Sequence, residues 1–396
     1  MSKRISYTPT KIASYAGSFV QAIVNNFLPI LFIALQDVYK IGYEKLGRLI
    51  MFNFITQLVT DMLTPKILGI LGYRKAAIMC QGFAAVGLSM LSFLPRALPD
   101  PYIGIVISVM VYAFASGLME VILSPMVEML PTENKSGNMS ILHSFYCWGQ
   151  AVTALVTTLL VKFFGYANWM YIPLIWAIVP FINMFSFFKV PIIEPEPERK
   201  SDKLRELLKS PTFRCFMVMM LCAGASEIAM AEWASMFAQK AIGVSKVVGD
   251  LAGPCAFAVF MGTGRILYAK FSEKISFRKA VVAMCALCAA CYLTAAFSKI
   301  PLLALIACAV CGFTVSILWP GTYSAGARVF PHGDAVMYSV FAMCGDLGCC
   351  LGPWILGIIA DALSLNIGFA VSAVFPIIML VTALMFLKEK DCKTDA

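Results

Sequence analysis

Charged residues are scarce in this chain, which has 396 residues of which only 13% are Asp, Glu, Lys or Arg. A soluble domain carries about 25%, so the composition excludes an ordinary soluble protein. The hydrophobic fraction of 60% and the mean hydropathy of +0.82 indicate a polytopic membrane protein instead. The net charge of +9 does not indicate nucleic-acid binding, because the basic residues fall between the apolar runs.

Histidine is also scarce, with two residues, and the sequence contains neither an HExxH nor a GxSxG pattern. The usual residue sets for metal-dependent or nucleophilic hydrolysis are therefore missing, and we expect that the protein is not an enzyme. The first residues, MSKRISYTPTK, are basic but lack the compact apolar core and cleavage site of a signal peptide. We expect the first helix to direct the chain to the membrane.

Cysteine, in contrast, is abundant, with 14 residues. Cys285, Cys288 and Cys291 have CxxCxxC spacing, and Cys308 and Cys311 form a CxxC pair. In a soluble loop this spacing would predict a zinc or iron–sulfur site. Here both sets lie inside apolar runs, where cysteine acts as a small hydrophobic residue. We therefore predict helix packing, with no metal and no cofactor.

Apolar runs of the length that crosses a bilayer, about twenty residues, occur twelve times. They lie near 11–37, 45–70, 75–98, 101–130, 137–164, 167–189, 211–240, 246–272, 277–298, 301–329, 334–361 and 365–388. We predict an all-α membrane protein with two six-helix bundles, 1–189 and 211–396, joined by a cytoplasmic linker, 190–210. The distribution of Lys and Arg predicts that both termini are cytoplasmic, and we expect the protein to lie in a bacterial-type inner membrane.

The two halves have similar sequence features in the same order. Gly72-Tyr-Arg-Lys after the second run corresponds to Ser276-Phe-Arg-Lys after the eighth, and Gly117 with Pro125 corresponds to Gly312 with Pro320. Their common order indicates an internal duplication. Two repeated halves around a site at the middle of the membrane are a recurrent transporter design.

Ionisable residues inside the apolar runs are the main functional candidates, because a charge at the centre of a membrane helix costs about 3 kcal/mol or more. Glu120 and His143 lie in the fourth and fifth runs, at similar distances from the polar turn between them. Burial penalises the charged form of a carboxyl group, so Glu120 could gain and lose a proton during transport, with His143 tuning it. The alternatives are a structural hydrogen bond for Glu120 and a capped carbonyl for His143.

Further polar and aromatic residues inside the apolar runs are candidates for solute binding: Asn25, Asn26, Gln150, Glu227, Glu232, Trp233, Trp319 and Asp346. Glu227 and Glu232 are five residues apart, roughly 140° around a helix, so we expect one to face the cavity and the other to flank it. The tryptophans could stack on a sugar or anchor the helices at the membrane interface. Asp346 lies between two glycines that could instead serve close helix packing.

The connection after the second run, with Asp61, Gly72, Arg74 and Lys75, resembles a degenerate form of the signature loop of the major facilitator superfamily. The resemblance implies that Asp61, near the cytoplasmic end of its helix, joins an Arg partner and holds two helices together in one state. The alternative is that Arg74 and Lys75 only anchor the chain in the cytoplasm. For Arg265 we expect a gating carboxylate as partner rather than the solute.

The fourth and fifth runs, with Glu120-Val-Ile-Leu-Ser-Pro125 and Leu142-His-Ser-Phe145, and the segment Asn25–Pro29 resemble the fucose-permease branch of that superfamily. The branch carries the Glu before an Asn-Pro pair, and then a Gln and a Phe. Here Ser124 replaces the Asn, His143 replaces the Gln, and Asn25 stands where the fucose permease itself has an acid. The pair Glu232-Trp233 looks more like sugar-permease-like relatives of this branch.

The resemblance implies proton-coupled uptake of a small polar solute, a sugar in the first instance, by alternating access of two lobes. The alternatives are proton-driven efflux of an amphipathic compound and a transporter-like sensor that binds without moving its ligand. We expect a small-molecule solute and protons as partners in a lipid bilayer, no nucleic acid, and a monomer.

Overall fold

The computed structural model describes residues 6–131, 135–193, 204–271, 276–330 and 334–386, and in these residues it contains helices and no strands. The helices are α1 (Thr8–Ile30), α2 (Phe32–Tyr39), α3 (Tyr43–Ala97), α4 (Pro101–Glu128), α5 (Lys135–Phe164), α6 (Tyr171–Lys189), α7 (Leu204–Lys209), α8 (Pro211–Lys240), α9 (Lys246–Asp250), α10 (Ala256–Phe271), α11 (Phe277–Phe297), α12 (Pro301–Val315), α13 (Leu318–Val329), α14 (Asp334–Ala362), α15 (Leu365–Ser372) and α16 (Val374–Phe386). The all-α fold class predicted from the sequence is confirmed.

The described residues contain ten helices long and apolar enough to cross a membrane, or eleven when the bent pair α1–α2 is counted as one span. One of the ten, α3, has 55 residues, or about 80 Å, which exceeds the roughly 30 Å of a hydrocarbon layer. At Gly72 its backbone leaves the helical region, with φ 70° and ψ 169°. Because this break makes α3 two spans, the described part of the chain has the predicted twelve.

Proline marks some of the helix distortions and not others. Pro29 precedes the 44° bend between α1 and α2, and Pro254 lies in a π-helical segment, Leu251–Cys255, that joins α9 to α10. In contrast, Pro125 and Pro353 lie inside helices that continue through them. Neighbouring groups in a membrane protein can satisfy the carbonyl that a proline frees, so a proline alone does not predict a break.

The chain forms two compact units. Unit 1 comprises the described residues up to Ile41 and those from Phe52 to 193, and unit 2 comprises Gly42–Met51 and those from 204 onwards. Of the predicted linker, residues 194–203 lie outside the described residues, and α7 covers part of the remainder. The start of α3 thus belongs to unit 2, while the rest of this helix belongs to unit 1.

In unit 1, α1 packs against both α4 and α5. A close approach joins α4 to the first span of α3, since a Cβ atom at Gly117 would lie 2.7 Å from the Thr60 Cβ and 2.8 Å from the Gln57 carbonyl oxygen. Real Cβ contacts are essentially never this short. Glycine at this position therefore allows the two helices, and the polar side chains they carry, to come together.

In unit 2, glycines hold α8 and α14 in close contact. A Cβ atom at Gly348 would overlap the Leu221 carbonyl, and one at Gly224 would overlap the carbonyl of Gly345. A Cβ at Gly352 would lie 2.9 Å from the Ala225 Cα. The glycines around Asp346 thus lie at a close helix contact, the alternative that the sequence suggested for them.

The cysteines of the CxxCxxC and CxxC patterns are buried in α11 and α12, which pack against each other in unit 2. The Sγ atoms of Cys288 and Cys311 lie 3.7 Å apart. Among the described residues, no three or more His, Cys, Asp or Glu side chains are grouped as metal ligands. The thiols fill the space between helices, as small hydrophobic side chains do.

The repeated Arg-Lys pair makes the same kind of contact in both units. In unit 1, Arg74 Nη1 donates to the carbonyls of Phe187 and Phe188 at the end of α6, at 2.9 and 3.2 Å. In unit 2, Arg278 Nη2 donates to the Leu384 carbonyl in the last turn of α16, at 3.0 Å. A guanidinium at a helix C-terminus satisfies free carbonyls and opposes the helix dipole.

Candidate functional site

The carboxyl group of Glu120 accepts two amide hydrogen bonds from neighbouring helices of unit 1. Its Oε2 atom lies 2.7 Å from Gln57 Nε2 on α3 and 3.1 Å from Gln21 Nε2 on α1. Both glutamines are buried, whereas Glu120 retains partial solvent accessibility. The acid thus points between helices rather than away from the bundle, and part of its surface is open.

A chain of neutral polar groups continues from Gln57. The Ser116 hydroxyl lies 2.8 Å from Gln57 Oε1 and 2.9 Å from Asn25 Oδ1. Asn25 Nδ2 also lies 3.4 Å from Gln57 Oε1, and Asn53 Nδ2 donates to Asn25 Oδ1 at 3.2 Å. Glu120, Gln21, Gln57, Ser116, Asn25 and Asn53 are called the Glu120 cluster below.

Chemically, the Glu120 cluster combines one acid with amides and a hydroxyl, drawn from three helices. The carboxyl group can bind and release a proton, and amides and hydroxyls can donate to or accept from the hydroxyl groups of a solute. Hydrogen bonds from Gln21 and Gln57 favour the ionised form of the acid, whereas burial favours the neutral form. A balance of these opposing effects is what a reversible proton site requires.

Glu120 and Asn25 could be predicted from the sequence as site residues, whereas Gln21, Gln57, Asn53 and Ser116 were not. The sequence does contain a signal for some of them. Gln21 and Asn25, like Asn53 and Gln57, are four residues apart inside an apolar run, so each pair lies on one helix face. The rotation of each helix toward its neighbours, which decides whether such a face meets the acid, is not encoded in the spacing.

The other residues predicted in unit 1 lie apart from this hydrogen-bonded chain. Asn26 Nδ2 donates to the Ala22 carbonyl at 2.9 Å and approaches the Tyr146 hydroxyl at 3.3 Å. Gln150 is buried on α5, and His143 lies on an exposed face of that helix. The hydrogen-bond partners of Glu120 are the two glutamines, so the structure does not bring Glu120 and His143 into a hydrogen-bonded pair.

In unit 2, Glu227 of α8 lies 3.7 Å from Arg265 of α10, measured from Oε1 to Nη2. Both side chains are mostly buried, with relative exposures of 12% and 25%. The expected carboxylate partner of Arg265 exists, but it is a residue that the sequence suggested for solute binding. At this distance the contact is an ion pair rather than a hydrogen bond.

The remaining predicted residues of unit 2 lie along α8, α13 and α14. Glu232 and Asp346 are each only 2% exposed. Trp233 is fully buried, and its indole N–H donates to the Pro353 carbonyl at 3.1 Å, a placement that favours packing over stacking on a solute. Trp319 is half-buried and packs over Gly345, where a Cβ atom would overlap its ring.

Of the two gating candidates in unit 1, Asp61 lies beside Gly117 of α4, whose hypothetical Cβ would be 3.0 Å from Asp61 Oδ1. Arg74 contacts the carbonyls at the end of α6, as described above.

A groove of about 700 Å³ between α1 and α6 is lined by Ile12, Ala16, Ile182 and their neighbours. It contains none of the predicted site residues and is predominantly apolar.

Comparisons with known proteins agree with this architecture. The profile of the Major Facilitator Superfamily matches residues 14–353 and 255–394. No curated protein sequence matches the chain significantly. The structure is similar to that of a D-xylose–proton symporter, with a TM-score of 0.80, 14% identity and coverage of 98% of this chain and 100% of that one. A bacterial homologue of the human lysosomal transporter Spinster has a TM-score of 0.76 and 13% identity, with 98% of each chain covered. The E. coli fucose:proton symporter has a TM-score of 0.67 and 16% identity, with coverage of 97% of this chain and 100% of that one.

At these identities, the structural similarities concern the fold alone. The family profile, however, covers most of the chain and both units. The chain therefore belongs to the Major Facilitator Superfamily of membrane transporters.

Proposed function

We propose that this transporter takes up a small polar solute, a sugar or polyol, together with protons, and that Glu120 carries the coupled proton. The observation that supports this role is the position of Glu120: an acid inside a membrane-spanning helix, held by Gln21 and Gln57 and still partly accessible. Intramembrane acids are rare and are commonly proton relays in transporters.

The proposed cycle uses the balance between burial and amide hydrogen bonds at this acid. Protonated Glu120 permits the solute to bind from outside, and deprotonation toward the cytoplasm favours release and the return of the empty transporter. Asn25, Asn53 and Ser116 would exchange bonds within the Glu120 cluster for bonds to solute hydroxyls. Because the direct hydrogen bonds to Glu120 come from glutamines, His143 would tune the proton through the wider electrostatic field.

The solute class is inferred from the cluster and from similar transporters. Neutral amides and hydroxyls suit a polyhydroxylated solute, since such groups pair with hydroxyls without a net charge. Two of the structurally similar transporters are described as D-xylose–proton and fucose:proton symporters, and another as a nucleoside transporter. All three of these solutes carry several hydroxyl groups on a sugar ring.

The proposal is tested with the full chain in proteoliposomes, using a panel of radiolabelled sugars and polyols and an imposed inward proton gradient. We expect the wild-type protein to accumulate at least one solute and to lose accumulation when the gradient is collapsed. Glu120→Gln should abolish gradient-driven accumulation but keep solute counterflow, which needs no net proton movement. Glu128→Gln, at the exposed end of the same helix, is the matched control and should behave as wild type.

Gradient-driven accumulation that survives Glu120→Gln would overturn the proton role. Proton-driven movement of the solute in the opposite direction would favour the alternative, efflux of an amphipathic compound. Binding without flux in any direction would identify a sensor. We also propose that both termini are cytoplasmic, which the distribution of Lys and Arg favours, and that the protein is a monomer in the inner membrane.

A further inference from the structure

The two glutamates of α8 lie in different electrostatic surroundings. Glu227 has a cation, Arg265, at 3.7 Å. Glu232 is 2% exposed, and its Oε2 atom is buried without a hydrogen-bond partner among the described residues. The two residues are roughly 140° apart around the helix and about 7.5 Å apart along it, so they lie on different faces of α8.

The charged groups that pack near α8 are engaged elsewhere. Lys246 of α9 forms an ion pair with Asp250 at 2.8 Å, and Asp250 also accepts a hydrogen bond from Ser235, which is three residues after Glu232. Arg265 pairs with Glu227. Within the described residues, no Lys, Arg or His lies within ion-pair distance of Glu232.

Other titratable groups on the elements around α8 do not supply the missing charge. The Tyr292 hydroxyl of α11 donates to the Ser226 carbonyl at 2.8 Å. Asp346 of α14 is an acid and carries no positive charge in either protonation state. Cys222, Cys285 and Cys288 are buried free cysteines of unit 2, and a cysteine side chain supplies no positive charge.

The energetic comparison favours a neutral acid at Glu232. An ionised carboxylate without a cation inside a membrane span costs more free energy than an unsatisfied neutral polar group does. A buried orphan oxygen of this kind is uncommon in native structures and calls for an explanation such as a role in function. An acid that exchanges its proton when water reaches it provides one.

We propose that Glu232 is a second proton-binding site of this transporter, located in unit 2, and that Glu227 is a fixed charge neutralised by Arg265. The bound species is a proton: the carboxyl group releases it to water and becomes a carboxylate, and the reverse step takes it back. Its coupling to transport rests on the proposed function, but its protonation does not. The two buried glutamates of one helix would thus have different roles.

The test is infrared spectroscopy of the purified full chain in lipid at neutral pH, which resolves the C=O stretch of protonated carboxyl groups and its shift in deuterated water. We expect Glu232→Gln to remove one such band and Glu227→Gln to leave all of them unchanged. Glu120→Gln serves as a separate reference, so that loss of its own band is distinguished from loss of the Glu232 band. Thermal unfolding and monodispersity of each variant show whether it is folded.

If Glu232→Gln fails to fold, Glu232→Asp replaces it, and the band should then shift rather than disappear. A spectrum of the folded Glu232→Gln protein with every protonated band retained would overturn the proposal. A band lost in Glu227→Gln instead would reverse the assignment of the two glutamates. None of these outcomes depends on the solute or on the transport role of Glu120.

Discussion

Asp361, at the end of α14, caps the start of α3 within unit 2. Its Oδ1 and Oδ2 atoms each accept a backbone N–H, from Tyr43 and Glu44, both at 2.8 Å. The first N–H groups of a helix have no partner inside the helix, and a carboxylate there also opposes the positive end of the helix dipole. Asp361 therefore ties together two segments of unit 2 that are distant in sequence.

The expected loss of stability on removing the Asp361 side chain follows from the number of hydrogen bonds that are lost. Removal of a capping side chain costs about 0.5–2 kcal/mol, and with two bonds to a charged acceptor we expect Asp361→Ala to fall in the upper half of that range, at about 1–2 kcal/mol. For a unit of this size, 1 kcal/mol lowers the midpoint of thermal unfolding by about 2–4 °C. We therefore expect a decrease of about 2–8 °C.

The measurement is thermal unfolding followed by the fluorescence of the six tryptophans, with identical detergent and heating rate for all variants. The matched control is Asp100→Ala, since Asp100 accepts only one backbone N–H, from Tyr102 at the start of α4, at 2.9 Å. It should lower the midpoint about half as much. Asp361→Asn, which keeps an acceptor but not the charge, should lie between wild type and Asp361→Ala. Equal effects of the two alanine variants would refute the two-bond argument.

Two further predictions concern unit 2. Arg265→Ala leaves the Glu227 carboxylate without its cation and should destabilise the fold by about 3 kcal/mol. The double variant with Glu227→Gln should recover most of that loss. Equal unfolding midpoints for the single and double variants would contradict the ion pair. Gly348→Ala places a Cβ against the Leu221 carbonyl and should cost about 1–3 kcal/mol in the same unfolding assay. Gly69→Ala is its control, because nothing lies within 4 Å of a Cβ there.

The number of spans and the proton candidate could be predicted from the sequence because both depend on hydropathy. An apolar run of twenty residues has few alternatives to a membrane helix, and an acid within one is conspicuous. The partners of Glu120 could not be predicted in the same way. Glutamines such as Gln21 and Gln57 are less costly in a membrane than charges, so their presence in an apolar run is a weaker signal.

The positions of Glu120 and His143 show what residue counting along a helix does not predict. The two residues are at similar distances from the turn between α4 and α5, and a simple hairpin would place them at the same depth. In the structure α1 packs against both of these helices, and Gln21 of α1 fills the position beside the acid. Depth in the membrane follows from counting residues, whereas lateral neighbours depend on how the helices assemble.

The Arg-Lys pair after the second and eighth spans was open to two interpretations, a gating loop or a cytoplasmic anchor. In the structure Arg74 binds carbonyls at the end of α6, and Arg278 binds a carbonyl in the last turn of α16. These are the last spans of their respective halves, so one contact occurs twice at equivalent positions. Helix capping alone accounts for the repeated arginine, and a gating role in this loop therefore depends on Asp61.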